Sequence, residues 1–152
     1  MSKNVLQKLI GKGKSDSNVI AQVLKLRPHY ANKFDKAGNS LLHQAVEKGE
    51  LRTVKILLDC GADPNARNCG GYTPLHFAVI FKNINALELL IKNNAHVNSR
   101  SNSGKTPLHL LSIQEESEES IKIAEILLRN YASTSVRDAG GMTPLDYLNS
   151  MR

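Results

Sequence analysis

The stretch Gly71-Tyr72-Thr73-Pro74-Leu75-His76 decides the fold, because the chain writes it again at a fixed interval. Gly38-Asn39-Ser40-Leu41-Leu42-His43 lies 33 residues before it, and Gly104-Lys105-Thr106-Pro107-Leu108-His109 lies 33 residues after it. Gly141-Met142-Thr143-Pro144-Leu145-Asp146 follows after another 37. A period of this size marks a solenoid, in which each unit is one supersecondary element that buries its apolar face against its neighbours. Such a stack usually presents a surface and does not usually enclose a reaction.

Counted from three residues before each glycine, the units run Asp35 to Arg67, Asn68 to Arg100 and Ser101 to Arg137, with a partial unit from Asp138 to Arg152. Each opens with a polar residue and a glycine turn, where positive φ is needed. Thr73, Thr106 and Thr143 are placed to cap the following helix, and proline fits its first turn. Ser40-Leu41 stands for Thr-Pro in the first unit, and serine still caps. A break follows the first helix, at Gly49 and, in the second unit, at Asn83. The second helix carries an i, i+3, i+4 stripe: Val54, Leu57, Leu58, then Leu87, Leu90, Ile91, then Ala124, Leu127, Leu128. The unit closes with Gly61-Ala62-Asp63-Pro64-Asn65-Ala66 or Asn94-Ala95-His96-Val97-Asn98-Ser99, a helix stop in which Asn tolerates the left-handed conformation of Gly.

On these residues the chain resembles the ankyrin repeat family. The D-x-x-G-x-T-P-L-H-x-A pattern, the paired leucines and the G-A-D-x-N-A closure fall at the family's offsets over residues 35–148. The fold class implied is all-α: a solenoid of helix-turn-helix units with β-hairpin-like loops. It counts about 4.5 units in one domain. Residues 1–34 fit as a degenerate N-terminal capping repeat, since Val23, Leu24 and Asn32 lie 33 before Ile56, Leu57 and Asn65. Lys3, Lys8, Lys12 and Lys14 read as a solubilising face of that cap. The third unit carries four extra residues within Gln114-Glu115-Glu116-Ser117-Glu118-Glu119-Ser120, read as a solvated acidic loop between its helices, or else a partner contact or phosphorylation site. The resemblance also implies that His43, His76 and His109 tie one repeat to the next, and that Asn65 and Asn98 sit where family members are often hydroxylated.

Composition narrows the classes. The net charge is +6, yet residues 1–36 hold eight Lys/Arg against two Asp, and the remainder is balanced at twelve each. The basic character is therefore terminal. No apolar run spans a membrane and no secretory signal or Asn-x-Ser/Thr site occurs, so an intracellular place is expected, cytoplasmic or nuclear, of the producing cell or of a host cell. Cys60 and Cys69 are too few for a disulfide framework. Gly11-Lys12-Gly13-Lys14-Ser15 has the wrong spacing for a phosphate loop, and neither a nucleophile elbow nor His-Glu-x-x-His appears. Neither an enzyme, nor a cofactor, nor a metal is expected.

The function expected is a non-catalytic protein–protein interaction module, an inhibitor or adaptor that binds on its concave face. Positions carried over from the family put Tyr72, Ile80 and Phe81 on that face, with Ile113 and Met142 on the neighbouring units. Lys105 occupies the corresponding hairpin position of the third unit. Arg67, Arg100 and Arg137 end three successive repeats and form a ladder suited to carboxylates. The partner expected is another protein with an apolar segment flanked by acidic residues, bound by a monomer. Nucleic-acid or anionic-surface binding through the basic N-terminal segment is the alternative, although no interleaved aromatics support base stacking there.

Overall fold

The computed structural model describes residues 17–150. Among them are eight α-helices and one 3₁₀ helix, with no strand; the single isolated bridge pairs Phe34 with Ser40. The lysines at positions 3, 8, 12 and 14, and with them the alternative nucleic-acid segment, lie outside the described residues.

Helix α1 (Ser17–Leu26) and the 3₁₀ turn Pro28–Asn32 come first. Three helix pairs follow: α2 (Leu41–Glu47) with α3 (Leu51–Asp59), α4 (Pro74–Ile80) with α5 (Ile84–Lys92), and α6 (Pro107–Ser112) with α7 (Glu118–Arg129). Helix α8 (Pro144–Ser150) ends the series. The first helices of the units, α2, α4, α6 and α8, pack in one row, and the second helices, α1, α3, α5 and α7, pack in another. Apolar spacing explains the two rows. Of the first helices, α2, α4 and α6 bury most of their residues, as with Leu75, Ala78 and Val79 of α4, because they are sandwiched, whereas α8 buries only Pro144. The second helices bury one stripe, such as Ala86, Leu87 and Leu90 of α5, and turn the rest to water. Each fully buried Leu contributes about 2 kcal/mol of transfer free energy.

Leu24 is buried in the core and Val23 packs against it. Asn32 donates through Nδ2 to the Gly61 carbonyl at 3.1 Å and accepts from the Asp63 amide at 2.8 Å. Asn65 repeats this with Asn94 and His96, and Asn98 with Tyr131 and Ser133. One amide side chain thus satisfies a donor and an acceptor on the next unit, three times in succession.

The hairpin tips are stapled by backbone. The Cys69 amide donates to the Ala37 carbonyl, Asn102 to Gly70 and Ala139 to Ser103, at 2.9–3.0 Å. At Gly71 the approach is so close that an added Cβ would lie 2.3 Å from the Asn102 side chain, with φ at +76°. Only glycine fits there.

Two expectations are corrected. The left-handed residue between α4 and α5 is Lys82, with φ +51°, standing where Gly49 stands in the preceding unit. Asn83 is the next residue and caps α5, accepting from the Ala86 amide at 3.1 Å. The acidic segment is not a loop throughout. Ser117 is an N-cap that accepts from the Ser120 amide, and Glu118 to Ser120 form the first turn of α7, which has 12 residues where α3 and α5 have nine. Carboxylates favour a helix N-terminus, so the acidic run extends the helix. Lys82 pins the remaining loop through Nζ, donating to Ser117 Oγ at 3.0 Å.

Candidate functional site

The repeated motif is a joint. Nδ1 of His43, His76 and His109 accepts the backbone N–H of Ser40, Thr73 and Thr106, each at 3.1 Å. With Nδ1 accepting, the proton sits on Nε2, which donates across the repeat boundary to the carbonyls of Tyr72, Lys105 and Met142 at 2.9, 3.0 and 3.1 Å. Both ring nitrogens are therefore spent inside the stack. Burial, offset in part by the Lys105 carbonyl, pushes the His76 imidazole down to about 4, and burial also lowers His43. Asp146 takes the histidine's place in the last unit and keeps the cap: the Thr143 N–H and Oγ–H donate to its Oδ2 at 2.8 and 2.7 Å.

Around this joint lie the residues expected to meet a partner. Ile80 and Phe81 end α4, and Ile113 follows α6 at the position equivalent to Ile80; all three are exposed, Phe81 at 45%. The sequence reading missed Phe77, one turn before Phe81. It is half-buried and links His43 to Phe81 through edge-on contacts with ring centroids 5.0 and 5.8 Å apart. The i, i+4 spacing on α4 was the available signal. Phe81 also lines an open groove of about 670 Å³ with Glu47, Lys48, Lys82 and Lys122.

Tyr72 is only half-exposed. Its ring meets His76 edge-on at 5.5 Å and lies over Gly70, where an added Cβ would come within 2.9 Å. Met142 is half-buried and its carbonyl receives His109. Lys105 turns its ammonium inward. Nζ lies 3.0 Å from Asp138 Oδ2 and bonds the Tyr147 hydroxyl, which itself donates to the same carboxylate oxygen at 2.6 Å. Tyr147 and then Lys105 hold the Asp138 carboxyl far below the usual carboxylate range.

The arginine ladder is present, and its rungs are joined. Arg67 donates to the Arg100 carbonyl, and Arg100 to the Arg137 carbonyl at 2.7 Å, while Arg137 reaches Gly141 at 2.6 Å. All three side chains stay exposed at their outer edges. Arginine's five donors allow a guanidinium to tie two repeats and still offer N–H groups to water.

A family model of ankyrin repeats, three copies, matches residues 2–101, and one of the single ankyrin repeat matches 103–139. The chain belongs to the ankyrin repeat family. Similar proteins include human Ankyrin repeat domain-containing protein 29, 49% identical over 39 residues, covering 26% of this chain and 13% of that protein. Ankyrin repeat protein 14 of vaccinia virus (strain Western Reserve) is 45% identical over 42 residues, 28% of this chain and 18% of its own length. The human Transient receptor potential cation channel subfamily A member 1 is 46% identical over 43 residues, 28% of this chain and 4% of the channel subunit. The chain thus spans less than a fifth of each of these relatives. Ankyrin repeats are generally protein–protein interaction modules and typically non-enzymatic. No helix of the described residues is long and apolar enough to cross a membrane.

Proposed function

We propose that this chain is a non-catalytic module that binds a partner protein through a patch centred on Phe81, Ile80 and Ile113. The observation that carries the reading is the exposure of three large apolar side chains at neighbouring positions in the middle of the stack, where Glu47 and Lys48 stand in the first unit. Hot spots favour central aromatic anchors. Lys48, Lys82 and Lys122 in the groove that Phe81 lines, with the outer edges of Arg67, Arg100 and Arg137, favour an apolar segment flanked by carboxylates. Tyr72 and Met142, at the hairpins of the second and fourth units, belong to the same proposed surface, and Lys105 fixes the last unit through Asp138 and Tyr147. The module acts by occupancy, as an inhibitor or adaptor, and as a monomer. The free thiols of Cys60 and Cys69 suit a reducing intracellular compartment.

The test is affinity capture from a lysate of the native host with wild type and with Phe81→Ala/Ile113→Ala. Both side chains are exposed, so circular dichroism and the unfolding midpoint should stay within experimental error of wild type. The wild type should retain a protein that the variant loses. Equal capture by both sinks the proposal.

A further inference from the structure

Phe34, Arg67, Arg100 and Arg137 hold one position in four successive units, each just before the residue that opens a hairpin. All four are exposed, Phe34 at 52% and the Arg137 side chain at 69%. The arginines are also held in place. Arg67 donates to the Arg100 carbonyl and to Asn102 Oδ1, and Arg100 to the carbonyls of Gly104 and Arg137. Both lie on the turn glycine of their own hairpin: a Cβ added at Gly71 would come within 2.5 Å of Arg67 Nη2, and one at Gly104 within 2.9 Å of Arg100 Nη2. Arg137 donates to the Gly141 carbonyl. A guanidinium has five donors, so each keeps N–H groups for a ligand while its rotamer is already fixed.

The charge of the row is largely unpaired. The carboxylates that open the first and last units are taken up locally: Asp35 accepts the Ala37 and Asn39 amides, and Asp138 meets Lys105 and Tyr147. Arg137 has a loose partner in Asp146 at 3.9 Å, and among the described residues no carboxylate pairs with Arg67 or Arg100. An ordered, unpaired row of guanidinium groups calls for carboxylates at the same spacing.

That spacing selects a backbone. The first helices pack side by side, and packed helices lie about 8–10 Å apart, so the row offers one guanidinium per step of that size. A polyproline II segment turns once in three residues and advances about 9 Å, which puts every third side chain on one side. A β-strand places same-face side chains about 6.6 Å apart and turns every third one away. An α-helix matches only at every seventh residue, about 10.5 Å, and sets an unmatched side chain between each pair of rungs. Phe34 ends the row with an aromatic ring, the surface on which polyproline II segments seat proline.

We infer that this hairpin edge docks the acidic flank of the partner as a polyproline II segment, with Asp or Glu at every third residue along Arg67, Arg100 and Arg137 and proline at the end over Phe34. The inference rests on the protein-binding reading above and adds the conformation and register of the bound carboxylates.

The probes are fluorescein-labelled peptides of one composition, Pro, Ala and Glu, titrated by anisotropy with the full chain at low salt. One carries Glu at every third residue and the other at every second. A helical Ala-rich peptide with Glu at every seventh residue and a single-stranded oligothymidine complete the set. The first peptide should bind saturably, about tenfold more tightly than the others, and more weakly as salt rises. Arg100→Gln should weaken it about tenfold, and Phe34→Ala about threefold. Arg67→Lys, which keeps the charge and loses the planar fork, should weaken it as well. Absence of binding, equal binding of the first two peptides, or binding that Arg100→Gln or Phe34→Ala leaves unchanged overturns the proposal. So does tighter binding of the helical peptide or of the oligonucleotide. The comparison among probes uses wild-type protein and does not depend on how any variant folds. Lysate capture reads Phe81 and Ile113, whereas these titrations read the hairpin row, so the two fail separately.

Discussion

The Nε2 of His76 lies 3.0 Å from the carbonyl oxygen of Lys105, across the boundary between two repeats. The ring is fully buried, and its other nitrogen holds the Thr73 amide at the start of the same helix. His76 therefore fixes a helix start and a repeat junction together. His76→Ala removes both bonds and leaves a cavity. The expected cost is about 3 kcal/mol, read as a fall in urea midpoint. Acid should act on the same residue. The folded imidazole sits at about 4 and the unfolded one near the ordinary histidine value of 6.5. The unfolded chain thus binds more protons between these values, and stability falls as pH drops through that window, then levels below it. In His76→Gln the fall over this window should shrink; an unchanged slope assigns it elsewhere.

The asparagine ladder makes a more uniform prediction. Asn65 bridges the Asn94 carbonyl at 3.0 Å and the His96 amide at 2.7 Å. Asn65→Ala and Asn98→Ala should each cost about 1–2 kcal/mol, since each leaves a backbone donor and acceptor of the next unit without their protein partner. Asn65→Asp keeps the acceptor and loses the donor. It should fall between wild type and Asn65→Ala, in the order of the chemical-denaturation midpoints.

The last unit depends on Lys105, Asp138 and Tyr147. Lys105→Met removes the cation that faces an almost fully buried carboxylate. Hydrogen exchange of the α8 amides should then accelerate by about tenfold, with α2 to α5 little changed, because local opening in a solenoid is set by neighbouring interfaces. The carboxyl of Asp138 is held below its ordinary value, chiefly by the Tyr147 hydroxyl and then by Lys105. Its contribution persists above the ordinary carboxylate range and is lost as pH falls below it. Exchange at α8 should rise there in wild type and show no such step in Asp138→Asn.

Tyr131 occupies the left-handed position that Gly61 and Asn94 fill in earlier units, with φ +63° and 88% of its surface exposed. A bulky residue there is strained. Tyr131→Gly should raise stability by about 0.5–1 kcal/mol, seen as a higher melting temperature. A lower one would show that the ring makes contacts worth more than the strain.

Much of this was legible in the sequence, for a physical reason. Gly71, Thr73, Pro74 and His76 each answer a backbone demand that recurs at every unit, so their types and spacing are forced. Asn32 was found the same way, although little around it matches the pattern. Departures arose where one demand can be met by different residues. Lys82 takes a glycine's conformation, and its tether to Ser117 shows only in three dimensions. Glu118 and Glu119 read as a solvated loop, whereas a helix N-terminus stabilises them equally well. The site was the least legible part. Exposure of Phe81 and Ile113 follows from their place at the helix ends. The inward turn of Lys105 depends on Asp138 and Tyr147 in the next unit, beyond any local pattern.

Each joint reaches a main-chain atom of the adjoining unit. His43, His76 and His109 meet the carbonyls of Tyr72, Lys105 and Met142, three side chains with nothing in common. A carbonyl is the same whatever residue bears it. The histidine bond therefore does not dictate which side chain stands at that spot, and Lys105 uses the freedom for a second tie of its own, to Asp138 and Tyr147. The joint thus holds the stack in register while leaving the type of side chain at each rung open to change.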